Sequence, residues 1–442
     1  MPAFDPERPF NDLPLLPPLA EIETRAVLKK CIEARAAVAE LKQAAGALPN
    51  PSVLLETIPL LEAQASSAIE NIVTTTDRLF QHSQDEAAAD PTTQEALRYR
   101  RALYAGFLSL TERPLSTRTA VEICGVIKGR DMPIRRLPGT ALRNDATQSI
   151  VYTPPDGEER LRDLLRNWEK FLHASDSDLD PLIRLAIMHY QFEAIHPFTD
   201  GNGRTGRILN ILYLVEQRLL DLPILFLSRH IIRRKEAYYE RLRAVTQVGD
   251  WEAWVLYMLD AIHQTATWTT GKIAAIRAQQ RAASEHVARH APALAIHELL
   301  DLIFQRPYCR ISDVVDAGLA KRQTASTYLH GLLAAGVLEV VKIGRDLSIS
   351  VGFFDISALG RVGADPFALS ACGPSFETRR SAALLRMRSV DMSSLEQPIS
   401  RGSRERPSRC RRHRPLGAGV GHAAPPPYSA VTVKAALFAT AT

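Results

Sequence analysis

Twelve consecutive residues, 196–207, combine the residue types that could hold a polyphosphate. They read HPFTDGNGRTGR and lie between two apolar segments of helical pattern, PLIRLAIMHYQFEAI and RILNILYLV. A glycine-rich turn that enters a helix presents unpaired backbone N–H groups and the positive end of the helix dipole, and both favour an anion. The stretch is therefore predicted to bind phosphate.

The side chains of this stretch support the same chemistry. Gly201 and Gly203 let the backbone approach a phosphate closely, and Asn202 can add a side-chain donor. Arg204 and Arg207 are three residues apart, so both can lie on the first helical turn and reach one ligand. We therefore expect a phosphate-binding site formed by the backbone and by two arginine side chains.

Two further residues supply what group transfer needs. Asp200 is placed at the mouth to hold the Mg²⁺ that accompanies a polyphosphate, and His196 is placed to accept a proton from an attacking group. The stretch is not a P-loop, since GK[ST] is missing, and no predicted strand precedes it as a Rossmann turn requires. A surface loop with incidental charge is the alternative, and the combination of His, Asp and two Arg disfavours it.

HPFTDGNGRTGR resembles the motif of the Fic family, HPFx[D/E]GNGRxxR, at every specified position. The resemblance implies a protein adenylyltransferase, which moves AMP from ATP to a Thr, Tyr or Ser hydroxyl of a target protein or of itself and releases diphosphate. It also implies roles for this chain's residues. His196 would be the general base, and Asp200 the Mg²⁺ ligand. The ATP-binding positions would be Gly201, Asn202, Gly203, Arg204, Thr205, Gly206 and Arg207.

Upstream, Ser66-Ser67-Ala68-Ile69-Glu70-Asn71 resembles the inhibitory motif of the same family, [S/T]xxxE[G/N]. Ser66 and Glu70 match its specified positions and, four residues apart in a predicted helix at about 54–72, share one face. By resemblance, Glu70 pairs with Arg207 and keeps ATP in an unproductive pose. The alternative is an ordinary solvent-facing glutamate in an alanine-rich helix.

The remaining elements must position these groups, and their pattern predicts a mainly α fold. A helical region over 1–100 precedes a helical core at about 101–275, with helices near 93–112, 116–128, 158–173 and 181–195. The segment LSRHIIRRKEAYYERLRAV is predicted to form a further helix. The segment 142–153 lacks a helical period and is predicted to be a β-hairpin, either a flap that docks a target strand or a connecting hairpin. In EAYYERL, Tyr239 is chosen over Tyr238 as an adenine-side contact, again by resemblance.

Residues 290–360 change pattern to three short helices and an alternating hairpin, which predicts a winged helix. It would serve packing, dimerisation or target capture, or it would bind DNA. Its candidate contact residues are Lys321, Arg322, Gln323, Thr324, Ser326, Thr327 and His330.

Charge and composition bound the remaining classes. The net charge is +5, but 366–442 alone holds 12 basic and 4 acidic residues, so the rest of the chain is slightly acidic and gives no bulk case for nucleic acid. This Arg-, Ser- and Pro-rich segment has the composition of a disordered tail, either functional or an out-of-frame extension. The five cysteines show no CxxC spacing, which argues against a disulfide framework or thiolate metal site.

No stretch reaches the roughly 18 to 20 apolar residues of a membrane helix, so we expect a cytoplasmic protein, plausible as a homodimer. Two other functions stay open from the sequence. One is removal of AMP at the same site, with Glu70 positioning water. The other is a transcriptional regulator that senses nucleotide and acts through the winged helix.

Overall fold

The computed structural model describes residues 4–48, 50–83, 85–144, 147–174, 178–305, 308–343 and 346–351, with side chains up to residue 338. The tail at 366–442 and the end of the predicted winged-helix region, 352–360, lie outside the described residues. The prediction of a mainly α fold is confirmed, because most of the described residues are helical.

The first part of the chain forms helices that build the N-terminal region and the start of the core. They are α1 (Arg25–Gly46), α2 (Ser52–Ile69), α3 (Thr76–Gln81), α4 (Pro91–Ser109) and α5 (Thr117–Lys128). Short 3₁₀ helices lie at Glu86–Ala88 and Pro292–Leu294.

The second part completes the core with two short strands and six helices. The strands are β1 (Leu142–Arg143) and β2 (Ile150–Tyr152), and the helices are α6 (Glu158–Leu172), α7 (Pro181–Ile195), α8 (Asn202–Glu216), α9 (Leu227–Arg233), α10 (Lys235–Val248) and α11 (Trp251–His290). The strands pair antiparallel, with Leu142 opposite Tyr152.

Local sequence signals explain why several core helices begin and end where predicted. α5 opens with a capping box, in which Ser116 and Thr119 each accept a bond from the other's backbone N–H, and it ends at Gly129 with φ 64°. α7 starts after Asp180, whose carboxylate accepts from the N–H of Leu182, and carries a proline at its first position.

Two predicted helices differ from the observed ones. α2 ends at Ile69 rather than near 72, because Asn71 takes a left-handed φ of 63° that stops the helix, so Glu70 lies just past its last turn. The segment LSRHIIRRKEAYYERLRAV is two helices, since Arg234 between α9 and α10 leaves helical geometry at φ −129° and ψ 41°.

The core is built around α7 and α8, which are buried on nearly every face. α7 packs against α6 and α11, while α8 packs against α4 and α5. α2 packs against α4 and α9, and it also contacts α8. This arrangement brings the C-terminal end of α2 over the N-terminal end of α8.

The C-terminal unit contains α12 (His297–Gln305), α13 (Ile311–Asp316) and α14 (Arg322–Ala334), with strands β3 (Tyr308–Cys309), β4 (Leu338–Ile343) and β5 (Asp346–Val351). The strands form one antiparallel sheet in the order β3-β5-β4. Three helices and a hairpin lie where the sequence predicts them, and the winged-helix assignment and its partner stay predictions. Within the described ranges, no helix has the length and apolar character needed to cross a bilayer.

Candidate active site

The site lies in the loop 196–201 that connects α7 to α8. α7 ends at His196, a non-glycine residue with φ 50° and ψ 59°, and the helical N–H of His196 still donates to the carbonyl of Phe192 at 3.0 Å. A left-handed conformation at a histidine persists only where its surroundings hold it. The backbone here therefore turns sharply so that the chain can enter α8.

Asn202 braces this loop from inside. Its side chain accepts from the N–H of Phe198 and donates to the carbonyl of Phe198, both at 2.8 Å, and it is buried. The amide is thus used within the loop, in contrast to the sequence expectation that it adds a side-chain donor for the ligand. The contribution of Asn202 to an anion cradle would come from its backbone N–H.

Two glycines shape the backbone at the start of α8. Gly201 has φ 82°, which an L side chain rarely adopts. A Cβ on Gly203 would lie 2.8 Å from Oε1 of Glu70, so only glycine allows that carboxylate to approach the backbone. The first N–H groups of α8 have no intrahelical acceptor. The N–H groups at this helix end can donate hydrogen bonds to an anionic oxygen, and the carboxylate of Glu70 lies beside them.

Arg207 is a buried cation bound by the end of α2. It is 1% exposed. Its Nε donates to Oγ of Ser66 at 2.7 Å, and its Nη2 donates to the carbonyl of Ser66 and to Oε1 of Glu70, both at 2.9 Å. The pKa of Arg207 is raised because Glu70 and neighbouring tyrosines outweigh the effect of burial. The two inhibitory-motif residues thus bind this arginine directly.

Arg204 shares Glu70 but has other partners as well. Its Nε donates to Oε2 of Glu70 at 2.5 Å and its Nη1 to Oε1 of Glu95 at 2.6 Å, while its Nη2 lies 3.5 Å from Oδ1 of Asp200. Glu95 on α4 also accepts from Nζ of Lys128 at 2.8 Å, and Lys128 reaches Oδ2 of Asp200 at 2.7 Å. Arg204 therefore lies in a network of alternating charge.

The imidazole of His196 is held neutral by its surroundings. Burial and the positive charge of Arg135 lower its pKa to about 4, although Glu70 and Asp200 act in the opposite direction. Its Nδ1 has no hydrogen-bond partner among the described residues. A neutral imidazole at pH 7 can accept a proton from a group that comes within bonding distance.

A second ionisable group, Glu193, lies below the loop. Burial raises the pKa of its carboxyl to about 7, with Glu70 acting in the same direction and Arg207 in the opposite one. Beside it, Nδ1 of His189 is 4.0 Å from Oε1 of Glu193, and Nε2 of His189 is 2.9 Å from the hydroxyl of Tyr238. Burial and Arg207 lower the pKa of His189 to about 3, so this histidine is neutral.

The other predicted positions fall into two groups. Thr205 is fully buried, and Gly206 faces the interior, where a Cβ would lie 2.5 Å from Oε1 of Glu193. Both positions therefore pack in the protein interior and do not face the N-terminal end of α8. Tyr239 is 42% exposed, whereas the neighbouring Tyr238 is buried. The choice of Tyr239 as a nucleoside contact stays a prediction.

The β1–β2 hairpin stands beside the loop as the sequence predicts. The hydroxyl of Tyr152 donates to the carbonyl of Ala194, the penultimate residue of α7, at 2.8 Å. After β2, the carbonyl of Thr153 accepts from the N–H of Phe10, so the N-terminal segment holds this end of the hairpin. Its role in target docking stays a prediction.

Sequence reasoning missed Arg135, Glu95, Lys128 and Glu193. Each contacts or neighbours the motif from 60 to 110 residues away or lies in a helix that reads as ordinary core. No local spacing marks Arg135 or Glu95. Glu193 carried the one available signal, since it is the single carboxylate in the sequence of α7.

The fold and the site define a helical protein with an anion-binding helix end, a neutral histidine and two arginines. Its sequence matches three family profiles: Fic/DOC family N-terminal at residues 28–108, Fic/DOC family at 117–214, and the C-terminal domain of protein adenylyltransferase SoFic-like at 280–348. The second match contains the whole loop. The chain belongs to the Fic/DOC family.

Curated relatives match a little over a quarter of the chain. Protein adenylyltransferase fic-1 of Caenorhabditis elegans is 36% identical over 126 residues, which are 27% of this chain and 23% of that protein. Protein adenylyltransferase Fic of Nematostella vectensis is 32% identical over 131 residues, 29% of each chain. The chain therefore spans about a quarter of the length of these relatives. Among solved structures, a Fic family protein from Desulfovibrio desulfuricans is 20% identical with TM-score 0.49, over 76% of this chain and 98% of that one.

Proposed function

We propose that this chain is a protein adenylyltransferase that moves AMP from ATP to a hydroxyl side chain of a protein, and that Glu70 inhibits it. One observation carries the proposal: a neutral histidine and two arginines converge at the open N-terminus of α8, and one carboxylate binds both arginines. The curated relatives described above, which are protein adenylyltransferases, support the same activity.

The phosphates of ATP are the ligand that this arrangement fits. The N–H groups at the start of α8 would donate hydrogen bonds to an α- or β-phosphate oxygen, and Arg204 and Arg207 would neutralise the remaining charge. In the inhibited protein the carboxylate of Glu70 already forms ion pairs with both guanidinium groups. A terminal phosphate would meet the negative charge of Glu70 there, so ATP would bind without the alignment that transfer needs.

The reaction is a displacement at the α-phosphorus. The target hydroxyl oxygen forms a bond to that phosphorus while the bond from the phosphorus to the α,β-bridging oxygen breaks, and diphosphate leaves. The hydroxyl proton passes to the imidazole of His196. Such transfers depend on positioning and charge stabilisation more than on covalent help from the protein.

Asp200 fits the Mg²⁺ that accompanies ATP. Its carboxylate is half exposed at the mouth of the loop, next to the open end of α8. Mg²⁺ is usually held by one or two carboxylates together with substrate phosphates, so a single carboxylate suits this role. No group of three or more His, Cys, Asp or Glu side chains in the described residues could hold a metal without substrate. The ion, when bound, would offset phosphate charge.

Three purified proteins test the proposal: the wild type, Glu70→Gly, and Glu70→Gly with His196→Ala. Each is incubated with Mg²⁺ and ATP labelled at the α-phosphate, alone and with cell lysate. We expect label on protein, about tenfold or more stronger in Glu70→Gly, because Arg204 and Arg207 are then free of the Glu70 carboxylate and can stabilise phosphate charge. We expect none in the double variant.

The other outcomes are equally informative. If ATP binds but none of the proteins transfers label, the transferase proposal is wrong. If transfer occurs but Glu70→Gly is no faster than the wild type, the inhibition by Glu70 is wrong and the transferase stands. Incubation of Glu70→Gly and wild type with a labelled AMP-protein then tests removal of AMP, for which the wild type would be the faster protein.

A further inference from the structure

Arg135 is a buried cation with no carboxylate partner. It lies in the segment between α5 and β1 and is 4% exposed. Among the described residues it forms no ion pair with a carboxylate, and burial lowers its pKa although the negative charge of Asp156 acts in the opposite direction. An unpaired buried charge is costly unless polar groups replace the lost water. The environment of Arg135 must therefore supply such groups.

Backbone carbonyls supply them. Nε of Arg135 donates to the carbonyl of His196 at 2.8 Å, and Nη2 donates to the carbonyl of Ile195 at 3.3 Å and to that of Pro155. The backbone N–H of Arg135 donates to the carbonyl of Pro197 at 2.9 Å. One residue therefore binds three successive carbonyls, 195 to 197, and links them to the chain that follows β2.

The first of these carbonyls belongs to Ile195, the last residue of α7, the second to its C-cap His196, and the third to the residue that follows. The last carbonyls of a helix need external donors, and the helix dipole favours a cation at that end. Tyr152 satisfies the preceding carbonyl, that of Ala194, through its hydroxyl. The left-handed turn at His196 is thus held by Arg135 and Tyr152 together, and Arg135 contacts the carbonyl of the histidine itself.

We propose that Arg135 is a positioning residue for the base, which fixes the backbone turn at His196 and places a permanent positive charge beside its imidazole. The proposal rests on the proposed function, because it assigns Arg135 to the transfer step through His196. Arg135 would contact neither ATP nor the target. Its loss would lower the turnover number while leaving the binding of ATP nearly unchanged.

The charged groups that face His196 come from three elements. Arg135 lies on one side, Asp200 follows in the same loop, and Glu70 reaches in from the end of α2. The two carboxylates raise the pKa of His196, whereas Arg135 lowers it in addition to burial. Removing Arg135 would therefore raise the pKa of His196, and the base would become protonated at a higher pH.

The test compares Arg135→Met and Arg135→Lys with Arg136→Met, all in the Glu70→Gly protein. Arg136 is the matched control because it is the next residue, is 70% exposed and pairs with Glu158 at the surface. Transfer is measured from pH 4 to 8 at varied ATP. We expect Arg135→Met to lose roughly tenfold to a hundredfold in kcat, with KM for ATP within about twofold. The acid limb of its pH–rate profile should move to higher pH by about one unit.

Arg135→Lys separates the two effects. A lysine keeps the positive charge but cannot donate to several carbonyls in fixed geometry as a guanidinium does. We therefore expect a lower kcat and an unchanged acid limb of the pH–rate profile. Should Arg135→Met fail to fold, the kcat of Arg135→Lys decides alone. A kcat equal to that of Arg136→Met in either folded variant would overturn the proposal.

A histidine titration by ¹H–¹⁵N NMR, with the His196 signals assigned from His196→Ala, separates this proposal from the proposed function. A raised pKa of His196 in Arg135→Met supports the electrostatic part even in a protein that transfers nothing. An unchanged pKa, together with unchanged kcat, contradicts it.

Discussion

The two halves of the site are held in different ways. On the base side, Arg135 donates hydrogen bonds to the backbone carbonyls of Ile195 and His196, and no side-chain carboxylate takes part in those bonds. On the arginine side, Arg204 and Arg207 are held by carboxylates and a hydroxyl from α2 and α4.

The bonds on the base side are permanent, whereas those on the arginine side depend on the position of Glu70. We call the arginine side the conditional half of the site. The bonds on the base side use groups that must be satisfied in any folded state, since buried backbone carbonyls need donors. The bonds on the arginine side include Glu70, which lies just past the end of α2 and which, under the proposed function, a phosphate of ATP would replace. A change in α2 would thus alter phosphate binding without disturbing the base.

The largest expected effect distinguishes the two arginines within the conditional half. When Glu70 is removed, Arg204 keeps Glu95 and Asp200, whereas the remaining hydrogen bonds of Arg207 to described residues go only to Ser66. Arg207 should then be the stronger phosphate ligand. In the Glu70→Gly protein, we expect Arg207→Lys to lower kcat/KM for ATP about a hundredfold, since a lysine loses the bidentate geometry.

Arg204→Lys is the matched comparison, because it makes the same substitution one helical turn earlier. We expect it to cost about tenfold, since Glu95 and Asp200 already offset much of the charge at that position. Steady-state kinetics at saturating target, with circular dichroism to check folding, gives both values. Equal losses in the two variants would contradict the distinction drawn between the arginines.

The sequence predicted the elements and groups that lie close together along the chain. HPFTDGNGRTGR set the positions of the loop and of α8, because turn glycines, helix starts and motif residues all act within a few positions of each other. The bounds of α5 and α7 followed from caps for the same reason. The pairing of Glu70 with Arg207, 137 residues apart, came from resemblance rather than from spacing.

The residues that hold the site from a distance could not be predicted in this way. Glu95 binds Arg204 across 109 residues and Arg135 binds His196 across 61, and nothing near either one marks the contact. Such contacts depend on how helices pack. The break at Arg234 was missed because a short change in backbone angle leaves the hydrophobic pattern intact.

A smaller effect tests whether Ser66 contributes to the conditional half. Its hydroxyl accepts from Nε of Arg207 at 2.7 Å, whereas the hydroxyl of the neighbouring Ser67 is equally buried and has no hydrogen-bond partner. In the wild-type background we expect Ser66→Ala to raise transfer severalfold, since the net contribution of one hydrogen bond is about 0.5–1.5 kcal/mol. The increase should stay below that of Glu70→Gly.

Ser67→Ala serves as the matched control for that measurement. It removes the same atom from the same turn of α2 without touching Arg207, so transfer should stay at the wild-type level. Label incorporation in the three proteins at equal concentration gives the comparison. An equal rise in Ser66→Ala and Ser67→Ala would mean that general loosening of α2, rather than the bond to Arg207, controls activity.

The smallest expected effect concerns Glu193, which lies between the two halves. Its pKa is raised to about 7 from 4.5, so between these values the folded protein binds a proton that the unfolded chain has released. Its contribution to stability is therefore complete below pH 4.5 and is lost as the pH rises through 7.

Glu193→Gln removes this dependence because a glutamine stays neutral. The free energy of unfolding of the variant, relative to wild type, should rise by on the order of 1 kcal/mol between pH 5 and pH 8. Urea unfolding at both pH values measures it, and Glu159→Gln, at an exposed position on α6, is the control. A difference that does not change with pH would mean that the Glu193 carboxyl ionises as freely in the folded protein as in the unfolded chain. The interior between base and arginines would then be hydrated rather than dry.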